Sequence, residues 1–459
     1  MLRDRYSPDK LFDEVWQRIS EMDPVLAKID RYLDDERIMR LIKEDLARRF
    51  PRTLRTGRDS TPVEVILRML VVKRLYNYSY EETEKRVRDS LGLRKFCRVY
   101  LNRVPDDTVL IRWAKLIRPS TLQELNARIC QMAVKEKIST GRKLRTDGTV
   151  VETNIHPPSD NRLLADGVRV LVRTVQRAYS KLGQLTAEGQ EKLAEIGRKA
   201  KRMARQIGET LRHRTEQAKE RGKKAYRELV ELTQQTVQKA RQALEALQQQ
   251  TDQGAQRLIS TLQTFIPRVE QVIDQTIRRV CQGEQVPARQ KIVSIFEAHS
   301  DIIVRHKETR PVEYGHKVWL NEIDGGLVSH YWVLEGNPAD ANQWLPSLQA
   351  HQDLFAAPPL QASGDRGLYS GPNEKAAYDL GVQRVILPKA GHRSQERQEL
   401  EHQDWFVRGR NWHAGVEGRI SVLKRAHGLG RCLNHGLTGF EQWVGWGIIA
   451  ANLAVMGRA

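Results

Sequence analysis

The sequence predicts an α/β core, a mixed sheet flanked by helices, combined with an all-helical N-terminal region and a long helical insertion. Three observations carry this expectation. The first 135 residues repeat apolar positions at helical spacing, strand texture begins at Lys143, and from residue 291 strands and helices alternate. The order strand, β-hairpin, helix, strand, helix, strand, helix winds around one mixed sheet. The block 163–290 then interrupts that order as an insertion between the first strand and the hairpin.

In the N-terminal region, Thr61-Pro62-Val63-Glu64 has a capping residue, proline at the first helical position and glutamate three after the cap. The predicted helix, Val63 to Tyr76, carries Ile66, Leu67, Leu70, Val71 and Leu75 at helical spacing. Ser79-Tyr80-Glu81-Glu82 is a second capping box, opening a helix through Val87. Leu93 to Tyr100 reads as a short basic helix, and Pro105-Asp106-Asp107-Thr108 starts another that holds Leu110, Trp113, Leu116 and Ile117. Short helices, tight connections and many Arg and Lys are compatible with a helix-turn-helix, and equally with a plain bundle.

Lys143 to Val151 is β-like, and the loop Asn154 to Asp160 contains two prolines. From Leu163 to Gln282 the chain is rich in Lys, Arg, Gln, Glu and Ala, and strongly basic between Arg198 and Arg227. Val230, Leu232, Val237, Leu244, Leu247, Leu258 and Leu262 recur among glutamines, the texture of a long helical hairpin or coiled coil. Such a block is either a spacer or an arm for dimerisation or DNA backbone contact. Alternating runs Gly315–Glu322 and Leu327–Leu334 flank Asp324-Gly325-Gly326, a β-hairpin signal. A helix from Ala339 to His351, a strand ending at Asp365, a helix from Pro372 to Leu380, a strand from Val382 to Leu387 and a helix around Glu417 complete the core.

The chain has 459 residues with 76 Lys and Arg against 57 Asp and Glu, a formal charge of +19. That balance points to a polyanionic partner, nucleic acid first. The cysteines, Cys97, Cys130, Cys281 and Cys432, are far apart and form no Cys-x-x-Cys pair, so a disulfide framework or zinc ribbon is not expected and a reducing, cytoplasmic setting is. No signal peptide is visible at Met1–Arg5. The most apolar tract, Trp443 to Met456, is short of a membrane span and interrupted by Gly445, Gly447 and Asn452, so a packed C-terminal helix is predicted and no membrane partner.

Three acids stand out against the basic background. Asp147 interrupts a β-like run, Asp365 ends another before a glycine-containing loop, and Glu417 lies in a helix. Phosphodiester cleavage needs charge neutralised at phosphorus, an activated attacking oxygen and a stabilised leaving oxygen. Two divalent ions held by hard carboxylate oxygens supply all three. Mg²⁺ rather than zinc follows from the lack of a Cys or His cluster. Each acid has a plainer alternative: Asp147-Gly148 as a turn, Asp365 as a helix cap, Glu417 as a partner of Arg419 or Lys424.

Several segments together resemble bacterial insertion-sequence transposases of the DDE class, ISNCY type. They are Arg74–Glu82, Pro105–Thr108, Arg145–Ile155, Val333–Asp340, Gly364–Ser370 and Gly415–Arg425. The resemblance spans nearly the whole chain. It implies an RNase H-like core split into 136–162 and 291–459, a helical DNA-binding or dimerisation region at 1–135 and a helical insertion at 163–290. It also implies a catalytic, metal-binding triad of Asp147, Asp365 and Glu417, with two Mg²⁺ ions for which Mn²⁺ substitutes. The implied partners are double-stranded DNA, as the element's terminal inverted repeats and as target, and a second copy of the chain. Implied DNA contacts are Lys424, Arg425, Arg419, Arg410, His413, Lys317 and Arg366. A related Tyr-Arg-Glu-Lys pattern would put Tyr at 410 and Arg at 413, where this chain has Arg410 and His413. An RNase H-like nuclease that does not join strands, and a non-enzymatic DNA-binding descendant, are the alternatives.

Overall fold

The structure is a computed structural model that describes residues 1–19, 21–50, 52–213, 215–304 and 311–459. Two compact units emerge, one from residues 1–154 with 316–459 and one from 155–315.

The first unit begins with eight helices: α1 (Lys10–Ile19), α2 (Pro24–Leu33), α3 (Glu36–Ala47), α4 (Val63–Leu75), α5 (Tyr80–Asp89), α6 (Leu91–Phe96), α7 (Asp107–Ala114) and α8 (Pro119–Lys135). Two of the expected starts are in place. Ser79 Oγ accepts the Glu82 N–H at 3.0 Å, and Asp106 Oδ1 accepts that of Val109 at 2.8 Å. The start of α4 differs, because Pro62 precedes the helix with no side-chain cap. Glu64 turns inward instead, meeting Arg68 Nε at 3.1 Å and lying 3.6 Å from both Arg5 and Arg98. Pairing a buried carboxylate with these cations outweighs what an exposed cap would gain. The short basic helix also stops early, since Arg98 and Tyr100 take positive φ of 56° and 53°. Arg98 then reaches Asp30 at 3.1 Å and Asp34 at 3.3 Å.

In the second unit the long block folds as four helices, α9 (Asp160–Lys181), α10 (Ala187–Thr210), α11 (Glu216–Leu247) and α12 (Gln253–Thr276), around one apolar core. Gly183 at φ 67° breaks the chain after α9, and Thr186, Thr215 and Asp252 cap the next three helices. These local stops divide what glutamine-rich periodicity reads as one long hairpin. Arg214, within the basic stretch, lies outside the described residues. Strand β2 (Asp301–Val304) pairs antiparallel with residues 312–315.

The remaining elements are β3 (Val312–Ile323), β4 (Leu327–Val333), α13 (Trp344–Phe355), β5 (Gln361–Ser363), α14 (Gly371–Asp379), β6 (Arg384–Ile386), α15 (Gln395–His402), α16 (Asp404–Ala426), β7 (Arg431–Cys432) and α17 (Gly436–Arg458), together with β1 (Lys143–Thr153). The sheet of the first unit runs β4-β3-β1-β5-β6, with β7 also on β1. The β3–β4 hairpin is antiparallel and the β1–β5, β5–β6 and β1–β7 pairs are parallel, so the sheet is mixed as predicted. Gly325 and Gly326 close the hairpin at φ 82° and 77°, a conformation open to glycine. The C-terminal helix is almost wholly buried, and among the described residues no helix is long and apolar enough to cross a membrane.

The hairpin contains an irregularity that two asparagines seal. Its register shifts between Asn321 and Glu322, so that Ser329 is skipped between the Asn321↔His330 and Glu322↔Val328 pairs. Asn452 on α17 accepts the Val328 N–H at 2.9 Å and donates to its carbonyl at 2.8 Å. Asn126 on α8 donates to the same carbonyl at 2.9 Å and accepts from Asn452 at 2.8 Å. Replacing Asn452 by Leu strands a buried donor and the Asn126 amide oxygen, each worth about 1–3 kcal/mol. Asn452→Leu is therefore expected to lower unfolding stability by about 2–6 kcal/mol in urea titration.

Candidate active site

The placement of the three acids follows from strand register and helix rise. β1 and β5 pair in parallel as Lys143↔Gln361, Leu144↔Ala362 and Arg145↔Ser363. Asp147 on β1 and Asp365 in the turn after β5 each stand two residues beyond the last pair of that register, Arg145↔Ser363. β7 joins β1 further along, at Glu152 and Thr153. Asp147 thus lies in the stretch of β1 between its two parallel partners.

Residues two apart on a strand face the same way. Arg145 reaches α16, its Nη1 donating to the Trp412 carbonyl and its guanidinium lying 4.8 Å from the Trp412 ring. Asp147 therefore shares the sheet face covered by α16. On β5, Ser363 Oγ lies 3.3 Å from His413 Nδ1 of α16, and the extended Asp365 continues in the same alternation.

Helix α16 keeps pace with β5. At Gly409 an added Cβ would stand 2.6 Å from Ile386 Cγ1 and 3.6 Å from Gln361 Nε2, so the helix sits directly on the strands there. One turn on, His413 meets Ser363. The next helical turn carries Glu417, just as Asp365 follows Ser363 by two residues. Glu417 is exposed. Asp147, Asp365 and Glu417 thus each follow, by two strand residues or one helical turn, the positions Arg145, Ser363 and His413 where β1, β5 and α16 meet. Among the described residues no group of three or more His, Cys, Asp or Glu side chains stands close enough to hold a metal ion, so the three carboxylates do not converge.

Asp147 accepts the Gly148 N–H at 2.6 Å through Oδ1. Asp365 accepts the Gly367 N–H at 3.0 Å, the cap expected of an aspartate before a tight turn. Its carboxyl pKa is raised, first by partial desolvation and then by the Asp340 carboxylate, with the Gly367 and Leu368 N–H groups and Lys317 opposing. His413 is held down to about 4, chiefly by burial and then by Arg145, so it is neutral at pH 7.

The expected DNA-contacting residues fall into two groups. Arg410, Arg425 and Arg366 are exposed, and Lys424 is half-buried on α16 two turns beyond Glu417. The others are engaged inside the protein. Lys317 is 8% exposed, pairs with Asp340 and donates to the Pro338 carbonyl at 3.1 Å. Arg419 lies 3.5 Å from Glu322, and His413 rests on Ser363. Of the tryptophans, Trp319 and Trp332 are fixed by hydrogen bonds to Ser347 and Gln343, both at 2.9 Å.

Sequence reading missed the residue that ties α16 to the sheet. Glu322, 1% exposed, receives Arg145 through two bonds of 2.9 and 2.6 Å and faces Arg419 as well. A carboxylate ending the apolar run Val318-Trp319-Leu320 was the available signal.

Comparison with known proteins bears on the helices before this site. Residues 14–116 match the family described as Transposase domain (DUF772). Neither a curated protein nor a solved structure matches the chain. The match supports a transposase family and a transposase function. The matched transposase domain covers most of α1 and all of α2–α7, and ends before β1, so it does not include the three acids.

Proposed function

We propose that this protein is a DNA transposase of the DDE class, ISNCY type, with an RNase H-like core. The observation that carries the reading is that Asp147, Asp365 and Glu417 each follow closely the Arg145, Ser363 and His413 positions at which β1, β5 and α16 pack together. The strand order, with β1 between a hairpin and two parallel strands, supports the core assignment. The transposase-domain match supports the function class.

The donor set fits a divalent metal. The candidate ligands are hard carboxylate oxygens, and the raised carboxyl of Asp365 beside Asp340 marks a spot where added positive charge is favourable. Asp147, Asp365 and Glu417 would hold two Mg²⁺, which would supply charge neutralisation at phosphorus and an activated oxygen. Asp147 is set by strand geometry and Asp365 by the capped turn after β5, while Glu417 adds a longer side chain from a helix. Neutral His413 and the Arg145–Glu322 pair hold that helix in step with β5. Exposed Arg410, Arg425 and Arg366 flank the acids in sequence and meet backbone phosphates. A water oxygen attacks a phosphodiester at the element end and frees a 3′-hydroxyl. That hydroxyl then attacks target DNA, one P–O bond forming as another breaks. Two copies of the chain hold the two ends.

The test is incubation of the full chain with Mg²⁺ and a duplex carrying the element's own end. Cut and joined products are expected. Cutting without joining would assign a nuclease, and binding with neither would assign a DNA-binding descendant.

A further inference from the structure

The positive charge of the second unit is concentrated at one place. Residues 198–227 hold twelve Lys and Arg against three Glu, a net of +9 and nearly half of the whole chain's +19. The following stretch, 228–290, holds seven of each sign and is neutral. The basic residues therefore mark one end of the bundle, the C-terminal half of α10, the turn to α11 and the first turns of α11.

The packing beneath them explains how so many cations come to share one surface. Ala200, Ala204 and Ile207 of α10 and Ala218, Gly222 and Tyr226 of α11 form the buried stripes. A Cβ on Gly222 would stand 2.9 Å from Leu211 Cδ2, so the chain is closely packed beside the turn. Small residues inside leave the long charged side chains directed outward. Lys199, Lys201, Arg202, Arg205, Arg212, Lys219, Arg221, Lys224 and Arg227 are all exposed.

Local ion pairs neutralise only part of this charge. Arg198 and Arg202 meet Glu191 and Glu195, Arg205 meets Glu209, Lys219 meets Glu216, and Lys223 meets Glu220. Lys199, Lys201, Arg212, Arg221, Lys224 and Arg227 make no ion pair among the described residues. The helix dipole does not account for Arg221, Lys224 and Arg227, which lie toward the N-terminal, positive end of α11. Like charges crowded on one surface cost stability, and an array of unpaired cations fits a polyanion with regularly spaced charge. Duplex DNA offers one charge per about 1.7 Å of its axis.

We infer that the α10–α11 end of the insertion is a second DNA-binding surface, one that grips backbone phosphates without reading sequence. The inference rests on the proposed action on DNA but not on the acidic site. On α11, Arg221, Lys224 and Arg227 follow one another at three-residue steps and form its outward row. Glutamine is as good a helix former as lysine or arginine, so Arg221→Gln/Lys224→Gln/Arg227→Gln keeps the fold.

The experiment is a salt titration of full-chain binding to a random-sequence duplex. It compares the parent, this triple variant and a control triple, Arg173→Gln/Lys239→Gln/Arg257→Gln, which removes equal charge from exposed positions elsewhere in the unit. The expected result is weaker binding by the first triple alone, with the slope of log K against log salt shallower by about 3. An equal loss in both triples would show diffuse attraction and overturn the inference. An unchanged first triple with intact parental binding would overturn it too, leaving the acidic site's role untouched. Loss of binding to vesicles rich in anionic lipid, with DNA affinity unchanged, would reassign the surface to a membrane. A parent that binds no duplex at any salt would overturn both this inference and the proposed function.

Discussion

Asp365→Asn is expected to bind end DNA as the parent does and to lose cleavage and joining by about a thousandfold or more. Asparagine keeps the shape of the side chain and can still accept the Gly367 N–H, so the turn after β5 survives. What it removes is the negative charge that would anchor a metal ion. Metal assistance contributes several kcal/mol of transition-state stabilisation, and each 1.36 kcal/mol is a factor of ten in rate. Gel-shift affinity and product formation, measured side by side, separate the two effects. Equal activity in parent and variant would move the metal site away from the three acids. Because the Asp365 carboxyl is raised partly by Asp340, the same substitution is expected to leave folding stability nearly unchanged.

Glu322→Ala is expected to destabilise the first unit by about 3–5 kcal/mol, the scale for removing one partner of a buried ion pair. Arg145 would lose both of its carboxylate bonds, and Arg419 its nearby anion. Two guanidinium groups would then face each other beneath α16 with nothing between them. The midpoint of chemical unfolding reads this directly. A value within 1 kcal/mol of the parent would show that water enters and solvates both cations. In folded variant protein, loosening of α16 should also lower cleavage, since the helix sets where Glu417 stands.

Much of the core was legible because its signals are local. The Asp324-Gly325-Gly326 turn announces its hairpin by chemistry that needs no partner, and the acids on β1 and just after β5 stand out as charges beside apolar runs. Strand order and the pairing of β1 with β5 were not legible, since register is a long-range property that only pairing reveals. β7 has two residues and no pattern to read. Glu322 and Glu64 share another reason. A buried carboxylate looks like a surface one in sequence until its arginines are found, here 177 residues away for Arg145 and four for Arg68. The four-helix insertion was read as a longer hairpin because glutamine-rich periodicity persists through the turns, while the stops depend on single residues such as Gly183 and Thr215.

The pairing of β1 has a consequence for the timing of synthesis. Its parallel partners β5 and β7 lie more than 200 residues downstream, with the whole second unit in between. A ribosome adding about 5–20 residues per second needs roughly 15–55 s to travel from Asp147 to Cys432. During that interval the nascent chain carries the N-terminal helices and then the second unit, while β1 lacks its parallel partners. Contacts so distant along the chain also close slowly after release. The acid of β1 is therefore made long before the strands that fix its place in the sheet.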